Sequence, residues 1–86
     1  PDLKTFRNLA LAIDALSKGG NLPCIMNAAN EIAVWAFLRN RVGFLDMTDI
    51  IEKTMSHVPF IEKPTLDEYL DSDAEARNYT ASLIQL

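Results

Sequence analysis

From Leu22 to Leu38 the chain runs LPCIMNAANEIAVWAFL, and Glu31 is the only charged residue in that stretch. Apolar residues recur at Cys24, Ile25, Ala28, Ala29, Ile32, Trp35, Ala36 and Leu38, with mixed spacings of three and four. A helix this poor in charge has no wide polar stripe to offer to water, so most of its circumference must meet protein. Its small residues let neighbours approach closely, while Trp35 and Phe37 supply large contact area. The segment predicts a central, nearly all-round buried helix, with the rest of the chain arranged about it.

The chain has 86 residues. That is room for a single helical domain over 1–86, able to bury roughly 60% of its unfolded surface. Stability of such a domain is about 5 kcal/mol. Losing a buried Trp35, at about 3–5 kcal/mol for a large aromatic, would consume most of it. An apolar content of 49% argues against disorder. No apolar run approaches the roughly 20 residues of a membrane span, and no basic start leads into an apolar block. Cys24 is the single cysteine. It has no intramolecular disulfide partner, and its apolar neighbours suit an inert core thiol in a reducing cytoplasm.

Charge divides unevenly. Residues 1–45 hold five Lys/Arg and three Asp/Glu (+2), residues 46–86 three and nine (−6), which together give the net −4. Arg7, Lys18, Arg39 and Arg41 are scattered rather than gathered on a basic face, which argues against a nucleic-acid partner. The acidic second half serves solubility and helix capping.

Pro1 to Lys4 read as a polar lead-in without an initiator methionine, as if the chain were cut from something larger. Phe6, Leu9, Ala10, Ile13 and Leu16 then repeat on one helical face, predicting a first helix over about 6–18 with Thr5 as N-cap and that face buried. Gly19 and Gly20 end it. Asn21 caps the second helix ahead of Pro23, and so short a connection favours antiparallel packing. Arg39-Asn40-Arg41 closes that helix. Asp46 as N-cap, Asp49 in the first turn and Leu45 stapled to Ile50 open a third helix, which buries Ile50, Ile51, Thr54 and Met55 and ends near His57. VPFIEKPT, residues 58–65, is an extended connector that presses Val58, Phe60 and Ile61 onto the bundle. Thr65 with Glu68 is a capping box for a short helix through Leu70. Ser72 with Glu75 repeats the device for a last helix, which carries Ala76, Tyr79, Thr80 and Leu83 and frays towards Leu86. The expected fold is all-α: about four main helices plus one short helix.

Asn27, Asn30 and Glu31 interrupt the apolar segment at spacings that put them on one face. They could hold a ligand or a catalytic carboxylate. The alternative, which we prefer, is a set of hydrogen bonds tying the helix to loop backbone or to an adjoining domain. His57 lacks a partner nucleophile and suits capping or exposure at a helix end. Asp46, Asp49 and Glu52 share helical spacing, but one turn of carboxylates without His, Cys or loop oxygens is a weak metal site. No glycine-rich phosphate loop and no Ser/His/Asp or Cys/His constellation can be assembled.

RNLALAIDALSKGG, LPCIMNAANEIAV, GFLD and LDEYLDSDAEAR follow one another in an order that resembles the carboxy-terminal region of the 1-deoxy-D-xylulose 5-phosphate reductoisomerase family. The central block is the specific part. The resemblance implies a parent enzyme of three domains: one for NADPH, a catalytic one with Mg²⁺ or Mn²⁺ and substrate, and a terminal helical domain. Such enzymes are typically homodimers that rearrange and reduce their substrate to 2-C-methyl-D-erythritol 4-phosphate, for isoprenoid synthesis. This chain matches the helical domain alone, so no catalytic, cofactor or metal residue is carried over. The expected partners are the remaining domains of the parent, with neither nucleic acid nor membrane, and the fragment alone should be inactive. A competing reading is an independent helical interaction module that docks a partner through its apolar face.

Overall fold

Two glycines set the first corner of the chain. The computed structural model of the protein describes residues 3–84, without the side chains of Lys4 and Thr5. Helix α1 (Leu3–Lys18) stops where Gly19 and Gly20 take φ of +66° and +58°. Any other residue meets a steric penalty in that region. At Gly20 an added Cβ would also lie 2.2 Å from the carbonyl oxygen of Ile61, so the connector's backbone sits where a side chain would be. Helix α2 (Leu22–Leu38) follows at once. Its end is a Schellman closure: Asn40, at φ +58°, donates its N–H to the Phe37 carbonyl, and the Arg41 N–H reaches the Ala36 carbonyl at 2.9 Å. A 3₁₀ turn (Phe44–Asp46) leads into α3 (Met47–His57), and after the connector α4 (Leu66–Ile84) completes the fold. No strand occurs among the described residues.

Helix α2 is central, as its composition requires, and packs on α1, α3 and α4. Its contribution to the core is mostly alanine. Ile25 and Ala28 meet Ala15, Val58 and Ala76 at one end; Ala29 and Ala33 meet Ile51 in the middle; Ala36 meets Ile50 and Ile84 at the other end. Small residues bring the helix axes close, at the cost of a thin core. The molecule is a plate of 35 × 31 × 16 Å, less than two helix diameters thick. A plate leaves each helix with an outer side.

That shape overturns several expectations. The stripe Phe6, Leu9, Ile13 and Leu16 faces outward, between 55% and 70% exposed, and α1 meets the bundle through Ala15 and the half-buried Leu11 and Ala12 on its opposite side. Apolar periodicity was present on both arcs of α1, and the tighter small-residue arc is the one α2 and α3 can reach. The helix starts at Leu3, so Leu3 and Lys4 are not a lead-in and Thr5 is no N-cap. Pro1 and Asp2 lie outside the described residues, as does any fraying at Gln85 and Leu86. Trp35 is 40% exposed rather than buried, and the Arg39 guanidinium lies 4.0 Å above its ring. Phe37 packs edge-on against Phe44, with centroids 5.9 Å apart. Leu45 and Phe60 stay largely exposed.

The caps also differ from the expected set. Thr65 and Glu68 form the predicted box: the Glu68 N–H donates to Thr65 Oγ1 at 3.2 Å, and the Thr65 N–H to Glu68 Oε1 at 2.9 Å. Ser72 caps nothing. It is buried inside one continuous α4, so the expected short helix and last helix are a single element. The carboxylate of Asp46 turns back to accept the Gly43 N–H at 3.3 Å and makes no cap bond to α3.

Candidate functional site

Asn27, Asn30 and Glu31 all lie on the outer side of α2 and are exposed. The inner side is taken by Ala28, Ala29 and Ala33, and helical spacing places the three polar residues opposite them. They do not form one cluster. Asn27 and Asn30 border a shallow groove towards α1, lined also by Asn8, Leu11 and Ile51. Neither amide has a hydrogen-bond partner among the described residues. Glu31 leans the other way, towards α4, where its Oε2 lies 2.5 Å from Arg77 Nη2.

Arg77 is the hinge pin of that side. Its Nε donates to Asp73 Oδ2 at 2.9 Å one turn earlier on α4, while its other arm holds Glu31 on α2. The guanidinium is raised above its ordinary pKa, first by the hydrogen bond to Asp73 and next by that to Glu31. A carboxylate held by an arginine in this way is a poor general base and a poor free metal ligand. The acids of α3 are engaged in the same manner: Arg7 of α1 donates to Asp49 at 2.8 Å and to Glu52 at 3.2 Å. Both ion pairs are solvent-exposed, so they set helix register more than they add stability.

The buried polar work is done elsewhere, by a residue read from the sequence only as a cap. Asn21 is fully buried and makes no cap bond. Its Nδ2 donates to the Pro59 carbonyl and to Ser72 Oγ, both at 2.9 Å, and its Oδ1 accepts the Ile61 N–H at 2.8 Å. One side chain thus fastens the start of α2 to the connector and to α4. A second buried tie joins α3 to α4, where the Thr54 and Thr80 hydroxyls lie 2.8 Å apart: one donates to the other, and the accepting hydroxyl gives its own proton to a carbonyl one turn back, that of Ile50 or Ala76. Thr48 bonds the Asn8 side chain and links α3 to α1. Sequence placed Thr54 and Thr80 on buried faces, but pairing across elements leaves no mark in spacing. The closest sequence signal for Asn21 was its place beside two glycines, where a chain reversal brings several backbones together.

Other candidates settle into structural positions. His57 ends α3 with its ring stacked on Tyr79, centroids 3.7 Å apart and planes within 6°. Cys24 is half-buried, its Sγ 3.7 Å from the Tyr69 carbonyl, and burial first, then Asp73, pushes its thiol pKa up. A raised pKa lowers the thiolate fraction and with it reactivity. Among the described residues no three His, Cys, Asp or Glu side chains come together as a metal site. Among the described residues no helix is long and apolar enough to cross a membrane.

Comparison with known proteins accounts for a chain whose polar residues tie helices together. Residues 1–79 match the family described as DXP reductoisomerase C-terminal domain. The 1-deoxy-D-xylulose 5-phosphate reductoisomerases of Phocaeicola vulgatus and Bacteroides thetaiotaomicron are 56% and 57% identical over 84 residues, 98% of this chain. That of Bacillus cereus is 48% identical over 79 residues, 92% of this chain. A solved structure of the Zymomonas mobilis reductoisomerase in complex with NADPH superposes with a TM-score of 0.84 at 45% identity, over 99% of this chain. The chain spans only 22% of the Phocaeicola and Zymomonas proteins and 21% of the Bacillus one. With helix order, fold and sequence in agreement, the chain belongs to the DXP reductoisomerase C-terminal domain family.

Proposed function

We propose that this chain is the terminal helical domain of a cytoplasmic 1-deoxy-D-xylulose 5-phosphate reductoisomerase, a single domain in a parent of three, and that it acts there as scaffold. The parent would convert 1-deoxy-D-xylulose 5-phosphate to 2-C-methyl-D-erythritol 4-phosphate with NADPH and Mg²⁺ or Mn²⁺, as a homodimer. The observation that carries the scaffold role is the fate of the carboxylates. Glu31, Asp73, Asp49 and Glu52 each sit on an arginine that links two helices or two turns.

The residues present do not fit the metal or the nucleotide. Asp49 and Glu52, the two acids of α3, already hold Arg7. The one glycine pair is closed by the Ile61 carbonyl, so its backbone offers no cradle for phosphate. Both groups belong, on this reading, to the rest of the parent polypeptide, and no chemical step is assigned to these residues. Asn27 and Asn30, whose amides are open on the outer side of α2, are the groups proposed to hydrogen-bond the adjoining catalytic domain or its linker. Glu31, exposed beside them, ties that face to α4 through Arg77.

The test is direct. The full-length polypeptide supplied with NADPH, Mn²⁺ and 1-deoxy-D-xylulose 5-phosphate should oxidise NADPH, and the 86-residue chain alone should not. Turnover by the short chain would refute the scaffold role. A full-length polypeptide that is folded and inert would refute the parent activity.

A further inference from the structure

The outward side of α1 is an unpartnered apolar surface. Leu3, Phe6, Leu9, Ile13 and Leu16 lie along it, from 55% to 81% exposed. No charged residue interrupts that arc. The charges bordering it are used within the chain: Arg7 holds Asp49 and Glu52, and Lys18 lies 3.3 Å from Asp14. At about 150–250 Å² per large side chain, these exposures sum to roughly 600 Å², the upper end of what a monomer leaves open.

We infer that this stripe is the seam by which the helical domain docks on the rest of its own polypeptide, with an apolar surface of that polypeptide as occupant. The inference rests on the reading of the chain as part of a longer reductoisomerase, and adds the surface through which the parts join. Two observations select the occupant. The relatives carry nearly four-fifths of their length beyond the matched region, since the chain covers 22% of them. The area also suits a tethered contact. Interfaces between domains of one chain bury about 600–1,500 Å² in total, and a linker supplies the effective concentration. A free homodimer needs about 800 Å² from each partner, more than this stripe offers. Helix α1 would then be shared, with Leu11, Ala12 and Ala15 packed on its own bundle and the opposite arc packed on its neighbour.

Thiol labelling in the full-length polypeptide tests the seam. In this chain alone Ile13 is 55% exposed and the Lys18 side chain 60%, so the two positions should react alike if nothing covers the stripe. Ile13→Cys and Lys18→Cys, each with Cys24→Ala, are treated with a maleimide and read by peptide mass spectrometry. A covered seam predicts that position 13 reacts at least about tenfold more slowly than position 18 in the native enzyme, with the difference lost in urea and unchanged by dilution. Equal native rates would overturn the inference. Protection that disappears on dilution as the mass halves would also overturn it, since the occupant would be a second copy. Should Ile13→Cys fail to fold, Leu16→Cys gives the same readout. The two readings fail separately. A protected position 13 in a polypeptide without NADPH oxidation supports the seam and sinks the enzyme assignment, while turnover with a freely reacting position 13 does the reverse.

Discussion

Replacing Asn21 by alanine should damage this fold more than any change at the polar residues on the outer side of α2. The side chain is fully buried and makes three hydrogen bonds of 2.8–2.9 Å, to the Pro59 carbonyl, the Ser72 hydroxyl and the Ile61 N–H. An orphaned buried group costs about 1–3 kcal/mol. Not all three would be orphaned. Ser72 lies inside α4 and can turn its hydroxyl to a carbonyl one turn back, and the part-buried groups of the connector can recruit water. The expected loss is therefore ~2–4 kcal/mol, most of the stability of a small domain. With each kcal/mol worth about 4–8 °C at this size, the melting temperature should fall by at least about 8 °C. Urea and thermal unfolding of the chain, followed by circular dichroism, measure both quantities. Asn27→Ala is the control: its exposed amide has no partner among the described residues, so it should change stability by less than ~0.5 kcal/mol. Equal effects of the two substitutions would show that the Asn21 bonds do not hold the connector to α4.

Gly20→Ala should cost more than Gly19→Ala in urea midpoint, although both residues have positive φ, because only at Gly20 does the new Cβ meet backbone, 2.2 Å from the Ile61 oxygen. Gly19→Ala should cost ~1–2 kcal/mol, the left-handed penalty alone, and equal losses would contradict the close approach. Trp35→Ala should cost ~1–2 kcal/mol in the isolated chain, below the value for a buried aromatic, because the ring is 40% exposed beneath Arg39. A loss near 4 kcal/mol would mean that the ring is buried after all. Burial raises the Cys24 pKa above its ordinary 9.0. A group with a raised folded-state pKa contributes stability that is complete below the unfolded value and is lost as pH rises through the folded one. Stability should then decline above pH 9, Cys24→Ala should remove that part of the decline, and alkylation at pH 8 should be slower in the folded chain than in urea. Indistinguishable alkylation rates would contradict the burial.

What could be read from sequence was what depends on neighbours along the chain. The start and end of α2, the Thr65–Glu68 box and the break at Gly19–Gly20 are local chemistry, and each stands where expected. Misreadings arose where two local patterns competed and only tertiary contact decides. Ser72–Glu75 has cap spacing, but that spacing also occurs inside helices, and the Asn21 amide draws Ser72 into the core. Helix α1 has apolar residues on two arcs; periodicity favoured the broad one, whereas packing took the arc with Ala12 and Ala15, where axes can approach. Trp35 was expected inside because aromatic area is usually buried, but a core built on Ala29, Ala33 and Ala36 leaves no room for an indole. The polar trio on α2 was expected as one cluster because its spacing shares a face, and its division between Arg77 and the groove towards α1 depends on neighbours that sequence does not specify.

The sharpest question is whether Glu31 supports the fold or takes part in chemistry, and Glu31→Gln in the full-length polypeptide separates the two. The substitution keeps the size of the side chain and one acceptor oxygen, and removes the charge that faces Arg77. A scaffold residue in an exposed pair predicts kcat within about twofold of the parent and a stability loss under ~1 kcal/mol. A kcat lowered about a hundredfold at an unchanged melting temperature would place the carboxylate in the reaction and contradict the structural role assigned to this helix.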